Sequence, residues 1–164
     1  MSTLAPNPVA SIELPALRRL GEIELPAARK DGEADTRTVR LSVSSESPVG
    51  RWFGEEILDH SEGSIRMSRL VNRAPLLLNH DSDRQIGVVE RAWVENRRLM
   101  AEVRFSRSPE AEALYQDVKD GIRSKISVGY RLHKFELQKK EGDAKTYRAT
   151  SWEPLEVSLV SVPA

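Results

Sequence analysis

The chain has 164 residues, with 25 basic and 25 acidic side chains, a formal net charge of +0 at pH 7, and no cysteine. That length fits one domain, able to bury roughly two-thirds of its unfolded surface without a metal or disulfide staple. The missing cysteine excludes disulfides, thiolate metal sites and a thiol nucleophile and is compatible with a reducing cytoplasm, while the balanced charge suggests neither a nucleic-acid partner nor a membrane surface.

In chain order, Met1 to about Asp35 stands apart. Pro6, Pro8, Pro15 and Pro26 interrupt any long element, and the stretch from Ala27 to Asp35 lacks bulky apolar residues. Residues 1–35 therefore read as a flexible N-terminal arm with a short helix around Ala16 to Leu20, and 36–164 as the folded domain. The arm has no continuous apolar core of a secretory signal, and no stretch of the chain approaches the length of a membrane span.

From Thr36 the pattern turns strand-like. Thr38-Val39-Arg40-Leu41-Ser42-Val43 alternates polar and apolar residues, as a half-buried strand does. Trp52 to Leu58 is short and mixed. Gly87 to Val94 and Leu99 to Phe105 flank Glu95-Asn96-Arg97-Arg98, a hairpin with a polar turn. Ser108-Pro109-Glu110 opens a helix with an N-cap, a proline at the first position and an acid in the first turn. Ala111, Leu114, Tyr115 and Val118 then recur at helical spacing until Gly121 stops it. Strands are expected over Ile122 to Phe135, Tyr147 to Trp152 and Leu155 to Val162, with a polar loop from Gln138 to Asp143. Many strands with one clear helix predict a β-rich α+β domain, a barrel or a strongly curved sheet flanked by a few helices.

Three residues carry candidate chemistry. His80 ends the apolar run Leu76-Leu77-Leu78 before a polar segment, so a strand end delivers an imidazole to the rim of a core. Histidine suits acid–base work because its ordinary pKa lies near neutrality; the plain alternative is a structural histidine. With only His60, His80 and His133 and no H-x-x-x-H pattern, metal binding is not expected. Ser127 lies on a strand whose apolar face is Ile126, Val128, Tyr130 and Leu132, so it shares the opposite face with Gly129, where a substrate backbone has room to approach. An ordinary surface serine is the plain alternative, and Ser124 and Ser158 are rivals on the same logic. Glu156 opens the last apolar run and shares a face with Ser158 and Val160; it suits the role of an acid that orients a histidine, or else of a charge guarding a strand edge. Glu153 is its neighbouring alternative.

These segments together resemble the prohead (capsid maturation) serine proteases of tailed bacteriophages. The resemblance rests on Pro75-Leu76-Leu77-Leu78-Asn79-His80-Asp81, Ile86-Gly87-Val88-Val89, Leu99 to Ser106, the helix end Val118-Lys119-Asp120-Gly121-Ile122, Ile126-Ser127-Val128-Gly129-Tyr130, and Trp152 to Ala164. Each segment is weak alone; their order and spacing over about Arg37 to Ala164 are strong. The resemblance implies kinship with the herpesvirus assemblin barrel. It implies a serine endopeptidase, with His80 and Ser127 at the family's catalytic positions and Glu156 assigned to the third. It implies no cofactor. The implied substrates are the major capsid protein, scaffold segments and the chain itself, cut inside the assembling procapsid in the host cytoplasm. A homo-oligomer belongs to the same expectation. An inactive scaffolding or structural domain of the procapsid with the same fold is the alternative, which the joint presence of His80 and Ser127 disfavours.

Overall fold

The computed structural model describes residues 16–24 and 32–162. The strands are β1 (Leu17–Glu24), β2 (Thr38–Ser44), β3 (Val49–Arg51), β4 (Gly54–Leu58), β5 (Pro75–Leu78), β6 (Asp81–Glu95), β7 (Arg98–Phe105), β8 (Lys125–Glu141) and β9 (Ala144–Val160). Two helices, α1 (Ser68–Val71) and α2 (Pro109–Lys119), flank them. The ladder β9–β5–β6–β7–β2–β1–β8 closes through β8–β9 pairing into a seven-strand barrel, the β-rich architecture the sequence predicts. Closure leaves those strands no open edge. β9 is long enough that β4 and β5 share one of its edges, both parallel to it, at Thr146 to Ala149 and Val157 to Leu159.

Local chemistry explains several elements. The β6–β7 hairpin turns at Asn96 and Arg97, both with φ near +50° to +57° (49° and 57°), the left-handed pair a two-residue hairpin demands. Ser108 caps α2 by accepting from the Ala111 N–H, and Gly121, at φ +73°, takes the left-handed position after it. Ala111, Leu114, Tyr115 and Val118 are the buried face of α2, as their spacing predicts. Inside the barrel Val39, Leu41, Val43, Leu76, Leu99, Val103, Ile126, Val128, Tyr130, Trp152 and Val157 pack into one core.

Three expectations need correction. Ala16 to Leu20 is no helix: Leu17–Glu24 is a barrel strand, antiparallel to β2 and β8. That stretch is therefore part of the folded domain, while residues 1–15 and 25–31 of the expected arm lie outside the described residues. The alternation of β1 is hidden because its buried positions are Arg19 and Gly21. The Arg19 guanidinium meets the Glu56 carboxylate at 3.2 Å and donates to the Ser47 carbonyl at 2.7 Å, so the buried cation is paired. A Cβ on Gly21 would run into the carbonyls of Ser42 and Val43. The strand expected from Ile122 starts only at Lys125 and runs on to Glu141, through most of the expected loop. Finally, the last two expected strands are one, Ala144–Val160. Gly129 pairs with Glu156 and Tyr130 with Pro154, so Leu155 bulges out, and the proline sits where the ladder is already interrupted.

The buried His60 makes stability depend on pH. Its Nδ1–H donates to the Leu58 carbonyl at 2.9 Å, which leaves Nε2 to accept from the Ser44 hydroxyl at 2.8 Å. Burial is the largest cause holding its pKa below the ordinary 6.5, against the opposing pull of the Leu58 carbonyl and Glu46. The unfolded chain then takes up a proton more readily than the folded one. Stability from this residue is complete above 6.5 and is lost as pH falls below it toward the folded value. Thermal unfolding between pH 7.5 and 5.5 should show a midpoint that falls with acid in the wild type and falls less in His60→Gln. Equal acid slopes in the two proteins would contradict this.

Candidate active site

Three neighbouring strands assemble the site. β9 lies between β5 and β8, with Leu77 beside Ser158 on one side and Ser127 beside Ser158 on the other. The strand period of two then puts Ser127, Gly129, Glu156 and Ser158 on one face, opposite the core. β5 ends at Leu78, and a two-residue turn, Asn79 and His80 at φ +51° and +59°, leads into β6. The turn is pinned to β9: the Asn79 N–H donates to the Leu159 carbonyl at 3.0 Å and the His80 N–H to Ser158 Oγ at 3.0 Å. His80 is thus a turn residue held over β9.

From there the imidazole reaches two partners. Its Nε2 lies 2.9 Å from Ser127 Oγ and its Nδ1 2.5 Å from Glu156 Oε1. The second Glu156 oxygen accepts from Ser158 Oγ at 2.8 Å. A carboxylate can only accept, so Nδ1 carries the hydrogen toward Glu156 and the neutral ring offers Nε2 to the serine hydroxyl. The His80 and Glu156 side chains are 7% and 18% exposed. Ser127 is 1% exposed: it faces away from the core, as expected, yet His80 and the neighbouring strands cover it, so it is no ordinary surface serine. A cleft of about 220 Å³, lined by Arg18, Asn79, His80, Ser127, Val160 and Val162, opens onto the pair.

The rivals stand elsewhere or serve otherwise. Glu153 lies 3.2 Å from His133 Nε2, and Ser158 holds Glu156 and the His80 backbone. Among the described residues no group of three or more histidines and carboxylates is placed to hold a metal ion.

Gly129 has a different purpose from the expected one. The space beside it belongs to Glu156: a Cβ at 129 would overlap the Glu156 carboxyl group. That carboxylate ends a flexible side chain, so it can yield cheaply for the fold but only by leaving His80. Gly129→Ala should therefore change the melting temperature little and pull Glu156 away from His80, and any reaction that depends on that contact should slow roughly 10–100-fold, as it does for a displacement of about 1 Å in a reacting group. A large loss of stability with unchanged activity per folded molecule would contradict the packing argument.

Sequence reasoning missed β1 and the Ser158 tether. The tether was visible only as the i, i+2 pair Glu156 and Ser158 on one face.

On the outer face of the closed barrel, serine, imidazole and carboxylate side chains are thus joined in one hydrogen-bonded series. The chain belongs to the caudovirus prohead serine protease family, whose model matches residues 43–164. A curated relative, the major capsid protein of Halomonas phage phiHAP-1, is 52% identical over 128 residues, 76% of this chain and 21% of the relative. The chain thus spans about a fifth of that relative's length (21%). The solved bacteriophage T4 capsid assembly protease has the same fold, with a TM-score of 0.59 at 12% identity over 90% of this chain and 98% of the other. No described helix is long and apolar enough to cross a membrane.

Proposed function

We propose that the chain is a serine endopeptidase that cleaves scaffold and capsid-protein segments, itself included, inside the assembling procapsid in the host cytoplasm. The observation that carries this reading is the continuous hydrogen-bonded series Ser127–His80–Glu156–Ser158. Ser127 Oγ attacks the scissile carbonyl while its proton passes to His80 Nε2. Glu156 holds the ring in the tautomer that leaves Nε2 free and stabilises the imidazolium that forms. The tetrahedral intermediate collapses as His80 returns the proton to the leaving amine. Water then attacks the acyl-enzyme carbonyl, passing a proton to His80 Nε2; the bond to Ser127 Oγ breaks, His80 returns that proton to Oγ, and the carboxylic product leaves. Backbone N–H groups are the natural donors to the developing oxyanion. Family membership and the names of the relatives support the choice of capsid proteins as substrates.

The test is incubation of the pure chain with the capsid precursor of its own phage, followed by mass. Discrete truncation of precursor, and of the chain, is expected; an unchanged precursor over long incubation would favour a scaffolding domain without activity. Glu156→Gln should slow truncation roughly 10²–10⁴-fold, because an amide can present an N–H where Nδ1 needs an acceptor. Glu153→Gln, on the His133 side, should be mild. The reverse ranking would move the third role to Glu153.

A further inference from the structure

The outward face of β1 reaches the same site. In register Arg18 stands beside Gly129 and Leu20 beside Ser127, and Arg18 lines the cleft that holds His80 and Ser127. Among the described residues the Arg18 guanidinium has neither a hydrogen-bond nor an ion-pair partner. Its neighbours differ: Arg19 and Arg51 both engage Glu56. Among the described residues no carboxylate lines the cleft, and Glu156, across Gly129 on the same face, is taken up by His80 and Ser158. The cleft therefore offers an incoming peptide one unpaired cation, the apolar side chains of Val160 and Val162, and the Ser127–His80 pair.

We propose that Arg18 is a specificity-determining residue that binds an acidic side chain of the substrate next to the scissile bond. The proposal rests on the endopeptidase reading above and adds the chemical class of substrate. A guanidinium matches a carboxylate with two parallel N–H donors, which fixes orientation as well as charge. The same cation repels lysine or arginine at that substrate position, so selection works in both directions. Arg18 lies outside residues 43–164, the part that matches the family, and on a strand the hydrophobic pattern conceals.

The experiment uses the full chain and peptide mixtures that fix Glu, Gln or Lys at one position in an otherwise varied background, with products read by mass spectrometry. The wild type should prefer Glu over Gln at one position near the cut by on the order of tenfold in kcat/KM. That preference should shrink as salt is raised. Arg18→Ala should erase it while cutting the Gln peptides at close to the wild-type rate and melting at the wild-type temperature. Arg18→Glu should turn the preference toward Lys. Ordinary cutting with no acid preference at any position would overturn the proposal alone, as would a preference kept in Arg18→Ala. Equal slowing of every peptide in Arg18→Ala would also overturn it, since that marks a general role. A wild type that cuts no peptide would overturn the endopeptidase reading, and this proposal with it.

Discussion

Ser127→Ala should abolish cleavage of capsid and scaffold segments, by a factor on the order of 10⁴ or more, and leave the barrel standing. The hydroxyl is buried and its hydrogen-bond partner is His80 Nε2, so removing it takes the proposed nucleophile away and leaves an imidazole nitrogen that faces the cleft. Alanine in place of serine on a strand opens almost no cavity, and the neighbours Ile126 and Val128 keep their core contacts. Circular dichroism and thermal melting should be near wild type. Ser124→Ala should cut at close to the wild-type rate. Ser158→Ala should fall between the two, because it loosens Glu156 and the His80 backbone without touching the nucleophile. Cleavage at the wild-type rate by Ser127→Ala would refute the assignment outright.

His80 substitutions should cost about as much, since nucleophile and base act as a unit and losing either removes nearly the whole effect. The choice of replacement matters. His80 sits at φ +59°, a left-handed conformation that asparagine tolerates better than alanine. His80→Asn keeps the turn and should lower cleavage on the order of 10⁴-fold with a near-native melting temperature. His80→Ala should lose activity to the same degree and some stability as well. Activity retained in both variants, measured on the capsid precursor, would exclude an imidazole base at this position.

How much of this was legible in the sequence depended on how local the signal was. The β6–β7 hairpin and α2 follow from neighbouring residues: a polar turn, a serine cap with proline behind it, a glycine stop. The three candidate residues were visible as a histidine after an apolar run and as polar residues on the outer faces of two strands. That they meet depends on the parallel pairing of β5 with β9, which joins residues some eighty positions apart (Leu76 with Val157) and leaves no local trace. β1 escaped notice because its inward residues are a paired arginine and a glycine, the opposite of what an apolar alternation shows. Pro154 looked like a break between strands because the bulge that accommodates it exists only in the ladder. Gly129 looked like space for a ligand, although the neighbouring strand fills that space with Glu156.

The central claim is that Ser127 is a nucleophile activated by His80. The most direct test is covalent labelling of the native chain by a serine-directed fluorophosphonate, with peptide mapping to locate the adduct. The account predicts one adduct, on Ser127, formed together with loss of cleavage, and no adduct in His80→Asn. An unlabelled Ser127 in a chain that still cuts its substrate, or inactivation by an adduct on another serine, would contradict it.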